Sequence, residues 1–123
     1  MGFSVTFDEP SSTVRVKHSG DDCEVVDAMD AFASMHADAR FRDISKLLVD
    51  LNECHAEVTP LEVEAFAEFL GALFHGHALA FVTSVELVPH LAYATDILGR
   101  DGRIDARVFG AAQDAETWLR AVN

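Results

Sequence analysis

Two short apolar runs, Lys46-Leu-Leu-Val-Asp50 and Ala78-Leu-Ala-Phe-Val82, limit what this chain can fold into more than any other feature. Strands that are apolar at successive positions bury both faces, the habit of parallel sheets covered by helices. The segment between the runs supplies one such helix. Thr59 stands where an N-cap accepts a backbone N–H, Pro60 takes the first helical position, and Glu62 falls in the first turn. At about 100° per residue, Phe69, Leu73, Phe66, Leu70, Val63 and Phe74 share one broad arc, opposite Glu64, Glu68 and His75. Gly76 ends the helix.

The flanking segments extend the pattern. Phe3, Val5 and Phe7 alternate with polar neighbours, Pro10 sits in a turn, and Val14 and Val16 alternate with Arg15 and Lys17, which predicts an antiparallel hairpin. A first helix follows, with Val25, Val26, Met29, Phe32, Ala33 and His36 on its apolar face. After the second buried run, Thr83 with Glu86 has the spacing of a capping box. Pro89 delays the regular helix to about Val88. Its core stripe is Leu87, Leu91, Ala94 and Leu98, and Gly99 closes it. A last strand, Ala106 to Phe109, precedes a last helix, Gln113 to Val122, that carries Ala115, Trp118 and Leu119 on one face. The order β-β-α-β-α-β-α-β-α predicts one α/β domain spanning residues 1–123, a five-stranded mixed sheet with helices packed on it.

Charge narrows the function classes. The net charge is −12, and no Lys or Arg occurs between Leu47 and Gly99. Such a surface repels phosphate backbones and anionic headgroups, so nucleic-acid binding and electrostatic membrane docking are disfavoured. No apolar run approaches a membrane span, and no secretory leader pattern opens the chain. Cys23 and Cys54 are two thiols in a chain large enough to fold without staples, which places the expectation in the reducing cytoplasm.

The order of elements, with Lys46-Leu-Leu-Val-Asp-Leu51, the Thr59-Pro60 helix start, Leu79-Ala-Phe-Val-Thr83, and Arg107-Val-Phe109 before Ala115-Glu-Thr-Trp-Leu119, resembles the SpoIIAA-like family of small bacterial proteins, related to STAS and Sec14-like domains. The likeness runs over nearly the whole chain. It implies a STAS-like α/β sandwich, no established catalysis, and roles in protein association or in holding a small apolar ligand. Anti-anti-sigma members of the wider group carry a phosphorylatable serine in an Asp-Ser-x-Gly segment after the third strand. The stretch here, Asn52 to Pro60, has no such motif. Thr59 stands near the corresponding place, and its N-cap role accounts for it without phosphorylation.

Four constellations offer chemistry. Cys54-His55 follows a buried strand at the carboxyl edge, where α/β sheets place ligands, and pairs a thiol with an imidazole as a hydrolase would. Adjacent side chains point apart, however, and Asp50, Glu53 and Glu57 raise a thiol's pKa. His75-Gly-His77 adds zinc-type ligands, but at the opposite edge of a parallel pair, which favours polar caps over a shared metal. His36, in the first helix's stripe, is expected to be a hydrogen-bonded, partly covered structural residue. His90, Tyr93 and Ile97 form a second stripe on the third helix, a candidate contact surface.

The expected function is a non-enzymatic domain acting by association, as a homodimer or with a regulatory partner, through His90, Tyr93 and Ile97. The alternative is a carrier of a small hydrophobic ligand, walled by Phe66, Phe69 and Leu70, with Thr83 or Asn52 as a polar handle. A hydrolase working through Cys54 ranks third. No cofactor or metal is expected.

Overall fold

A hairpin opens the sheet in the computed structural model, which describes residues 2–19, 24–54, 57–100 and 104–122. Strands β1 (Gly2–Asp8) and β2 (Thr13–Ser19) pair antiparallel across a turn. Ser12 adopts a φ of 55° there. Its carbonyl accepts hydrogen bonds from the N–H groups of Ser45 at 2.9 Å and Lys46 at 3.1 Å, which fastens the hairpin to the start of the next strand. Helix and strand then alternate: α1 (Val25–Ala37), a 3-10 turn (Ala39–Asp43), β3 (Lys46–Leu51), α2 (Pro60–Leu73), β4 (Ala78–Thr83), a second 3-10 turn (Val85–Leu87), α3 (Val88–Gly99), β5 (Asp105–Phe109) and α4 (Ala112–Ala121). The strands lie in the order β1-β2-β3-β4-β5, with β2 to β5 parallel. This is the expected α/β architecture, a five-stranded mixed sheet with four helices.

Each of α1, α2 and α3 joins neighbouring parallel strands, and right-handed crossovers put all three on one face. There Val14, Val16, Leu47, Val49, Leu79 and Phe81 of the sheet form one core with Phe32, Leu70 and Leu91 of the helices. On the other face, Leu48, Ala80 and Val82 meet Ala115 and Leu119 of α4. Helices on both sides explain the apolar runs: β4 is buried at every position from Ala78 to Thr83.

The helix faces differ in detail from the sequence expectation. In α1 the buried residues are Ala28, Phe32 and Met35, and Val26 is 64% exposed. The buried stripe is rotated from the expected one so that Ala28, Phe32 and Met35 face the core. His36 is consequently exposed, with its ring against Phe41 and Phe74 at centroid distances of 5.2 and 5.8 Å. In α2 the buried line runs through Val63, Phe66, Ala67 and Leu70, which leaves Phe69 and Leu73 half-buried. The helix start is as expected and more complete. Thr59 Oγ1 accepts the Glu62 N–H at 3.2 Å while Glu62 Oε1 accepts the Thr59 N–H at 2.9 Å. Thr83 and Glu86 do not form a capping box. Thr83 ends β4 as a buried strand residue, and the 3-10 turn after it is capped by Ser84 without a side-chain bond.

One ion-pair group ties the hairpin to the last helix. Arg15 on β2 donates from Nε and Nη2 to the Glu116 carboxylate at 2.7 and 2.8 Å, and from Nη1 to Asp8 at 3.1 Å. The Arg15 hydrogen bonds hold the Glu116 carboxyl below the ordinary carboxylate range. A carboxyl depressed in the folded state stabilises it above the unfolded pKa, roughly 4.3, and loses that contribution as pH falls through the folded value. Glu116→Gln is therefore expected to cost about 1 kcal/mol at pH 7, and the difference from the parent chain should shrink as pH falls below the unfolded value toward and through the folded one. Urea unfolding at pH 7 and at falling pH measures both.

Candidate functional site

The α1–α3 face is not filled to its end. At the carboxyl edge of β3, between the sheet and the first turns of the three helices, lies a cavity of about 70 Å³. Its walls are Val49 and Leu51 from β3, Phe32 and Ala28 from α1, Val63 and Phe66 from α2, and Leu87 and Leu91 at the start of α3. Parallel strands force this arrangement. Every helix that follows such a strand begins at the same edge, and helices splay where their first turns diverge from the sheet. The space suits several water-sized groups, and its walls favour an apolar occupant over water.

The lining is apolar throughout, although polar residues contribute to it. Glu24, the α1 N-cap without a side-chain cap bond, and His90 border the cavity, as do Cys54 and Val58 in the β3–α2 connection. Thr83 lies across from Leu51 in the β3–β4 register, on the same sheet face. It is 2% exposed, and its Oγ1 has no hydrogen-bond partner among the described residues; nor has the buried Oγ of Ser84. A buried hydroxyl without a partner costs about 1–3 kcal/mol; neither residue lines the cavity.

Exposed aliphatic side chains gather at the same edge. Val26 begins α1, Leu61 begins α2, and Val85 precedes α3, at 64%, 76% and 87% exposure. Val88, in the first turn of α3, is also exposed. None of the four lines the cavity.

The structure distributes the residues singled out in sequence as follows. Phe66 forms part of the cavity wall. Leu70 is fully buried deeper in the core, and Phe69 packs against that core from its margin. Asn52 is exposed in the turn after β3, where its N–H donates to Asp50 Oδ1 at 3.0 Å. Of the three contact residues, His90 borders the cavity, while Tyr93 and Ile97 are half-buried against the core. Glu64 beside the Tyr93 hydroxyl raises its pKa. Thr59 is the α2 N-cap.

Cys54 is 1% exposed and disulfide-bonded, with its N–H donating to the Leu51 carbonyl at 3.0 Å. That corrects the expectation of a free thiol, and with it the Cys54 hydrolase: a sulfur held in a disulfide presents no thiolate. His55 and Cys23 lie outside the described residues. His77 sits at the amino edge of β4, stacked on Phe41 at 5.2 Å, with Nδ1 3.1 Å from the Phe74 carbonyl oxygen. Cys54 lies past the other end of the sheet. Among the described residues no three His, Cys, Asp or Glu side chains converge on a metal position.

Sequence reasoning missed two buried polar residues among those described, Thr13 and His18; His18 is 1% exposed with its ring edge-on to Phe3 at 4.9 Å. The alternation Val14, Val16, His18 along β2 was the available signal. No family model matches this chain, and no curated protein does.

Proposed function

We propose that this chain is a non-enzymatic binding domain of the SpoIIAA-like kind, and that it holds a small apolar ligand in the cavity at the carboxyl edge of β3. The observation that carries this reading is the cavity itself, walled by Val49, Leu51, Phe32, Phe66 and Leu91. Ligand sites combine an apolar wall with few polar groups, at this edge of α/β sheets. The STAS-like and Sec14-like affinity belongs to the same proposal, supported by the order of elements. A cytoplasmic place belongs to it too, supported by the acidic composition; the disulfide at Cys54 stands against it, because thiols are kept reduced there. Among the described residues no helix is long and apolar enough to cross a membrane.

Association is the second reading, as a homodimer or with a regulatory protein. Val26, Leu61 and Val85 favour it, because exposed aliphatic side chains on one edge are what a partner covers. Light scattering at increasing concentration separates the two.

Filling the cavity tests the first reading. Ala28 faces the space from α1, and Ala28→Leu occupies part of it. The variant is expected to be as stable as the parent or up to about 1 kcal/mol more stable. Its affinity for xenon, an apolar probe small enough for the space, should fall about tenfold or more. Equal probe affinity in the two proteins, with both folded, removes the cavity as the site.

A further inference from the structure

Strand β1 stands at one edge of the sheet and pairs with β2 on one side only. An edge strand leaves a row of N–H and C=O groups on its outer side, and proteins guard such rows with charge, proline, bulges or brevity. β1 has none of these guards. It spans seven residues, Gly2–Asp8, in unbroken register with β2, and residues 2–7 hold no charge and no proline. Among the described residues, no backbone group of residues 2–7 forms a backbone hydrogen bond beyond that ladder. The opposite edge, β5, is guarded: it has five residues, and Asp105 and Arg107 are exposed on it. We infer, resting on the association reading above, that β1 is the seam of a homodimer. It pairs antiparallel with β1 of a second copy across a twofold axis at Val5, joining two five-stranded sheets into one.

The residue order selects a second copy over an unrelated strand. Phe3-Ser4-Val5-Thr6-Phe7 reads nearly the same in either direction. Antiparallel pairing about Val5 sets Val5 against Val5, Phe3 against Phe7 and Ser4 against Thr6, each unlike contact made twice, as a twofold interface requires. Side chains alternate along a strand, so Phe3, Val5 and Phe7 line one face, that of Val14 and Val16, and Ser4 and Thr6 line the other. Apolar therefore meets apolar, and hydroxyl meets hydroxyl, along the seam. A slip of one residue sets Phe7 against Ser4 and Val5 against Thr6, and the match is lost. Val5 is 37% exposed in the single chain, with room for a partner strand to cover it.

Charge points the same way. The chain carries 21 acidic and 9 basic residues, so two copies repel over most of their surface. The opening hairpin is the exception: across residues 2–19, Asp8 and Glu9 are balanced by Arg15 and Lys17. Antiparallel pairing brings the acidic end of each hairpin, Asp8 and Glu9, beside the Lys17 end of the other. In the register centred on Val5 no charged residue of β1 faces another, whereas parallel pairing sets Asp8 against Asp8. The seven residues of β1 make a short seam, about 23 Å at about 3.3 Å per residue. That is the small end of specific interfaces, and a dissociation constant on the order of 10–100 μM is expected.

Sedimentation velocity of the whole chain, from about 1 to about 500 μM, reads the monomer–dimer equilibrium. Val5 supplies the test because it faces its own copy. Val5→Lys and Val5→Glu each set like charges opposite one another, and each is expected to weaken dimerisation about thirtyfold or more. Mixed one to one, the two variants should form a heterodimer within about threefold of the parent's affinity. Hydrogen exchange on the parent needs no variant, and it decides alone if either variant fails to fold. Outward amides of Gly2–Asp8 should gain protection as concentration rises, while those of β5 should not. A parent chain that stays monomeric throughout overturns the inference and the homodimer reading together. A dimer undiminished in Val5→Lys, variants that do not pair when mixed, or β1 amides that gain no protection overturn the seam. Those three results leave association standing at another surface.

Discussion

Phe74→Ala is expected to lower the free energy of unfolding by about 3–5 kcal/mol, the upper range for a core substitution. Phe74 follows α2 and is fully buried. Its ring meets Phe32 of α1 at 5.9 Å, Phe41 of the 3-10 turn at 5.5 Å, and His77 before β4 at 6.0 Å. One side chain thus links four separate segments at the amino edge of the sheet. Neighbours held by their own helices cannot all move inward, so most of the cavity left by the ring stays open. Denaturant unfolding should show a lower midpoint with an unchanged slope, since the same surface is exposed in either protein. Phe32, on which the ring packs, also walls the cavity, so probe binding should weaken as well. A loss below about 1 kcal/mol would mean that the aromatic cluster is loosely packed, and that the core lies elsewhere.

Turns, helix caps and two-sided strand burial were legible in the sequence, and the cavity was not. Gly76, at φ 86°, marks the turn from α2 into β4 because that backbone region suits a residue without a Cβ. Thr59 and Glu62 announce the α2 start through hydrogen bonds local to four residues. The runs at β3 and β4 mark two-sided burial because each residue in turn meets a helix-covered face. All are local or strictly periodic effects.

The cavity depends on something else: how far three helix starts diverge from a sheet. Phe66 belonged to the expected pocket and does line the cavity, but Leu70, one turn on, is consumed by the core. The periodicity of α2 gives both residues the same face, and only depth along the helix separates them. Val26 shows the same limit. It counts as apolar face by spacing and ends 64% exposed, because α1 turns Ala28 and Phe32 to the sheet instead. The disulfide at Cys54 was hidden for a related reason, since pairing depends on the approach of two chain segments and not on composition.

Leu119→Ala is the second large effect, expected at about 2–4 kcal/mol, and it should take a different form. The α1–α3 face has three helices that support one another. The opposite face rests on α4 alone, which buries two residues, Ala115 and Leu119, against Leu48, Ala80 and Val82. Trp118 is half-buried beside Phe109 at 5.7 Å, and Arg107 lies over the indole at 5.1 Å, so part of its surface stays wet. Losing Leu119 removes the larger of two anchors and leaves Arg15–Glu116 as the main tie. A ten-residue helix with one small buried residue is too short to persist by itself in water. The expected result is therefore local: amides of Ala112–Ala121 lose hydrogen-exchange protection while those of α2 and β4 keep most of theirs. Uniform loss of protection across all elements would instead make α4 an integral part of one cooperative unit. In the local case the exposed Ala80 and Val82 become a new apolar face, and the variant should associate at concentrations where the parent chain does not.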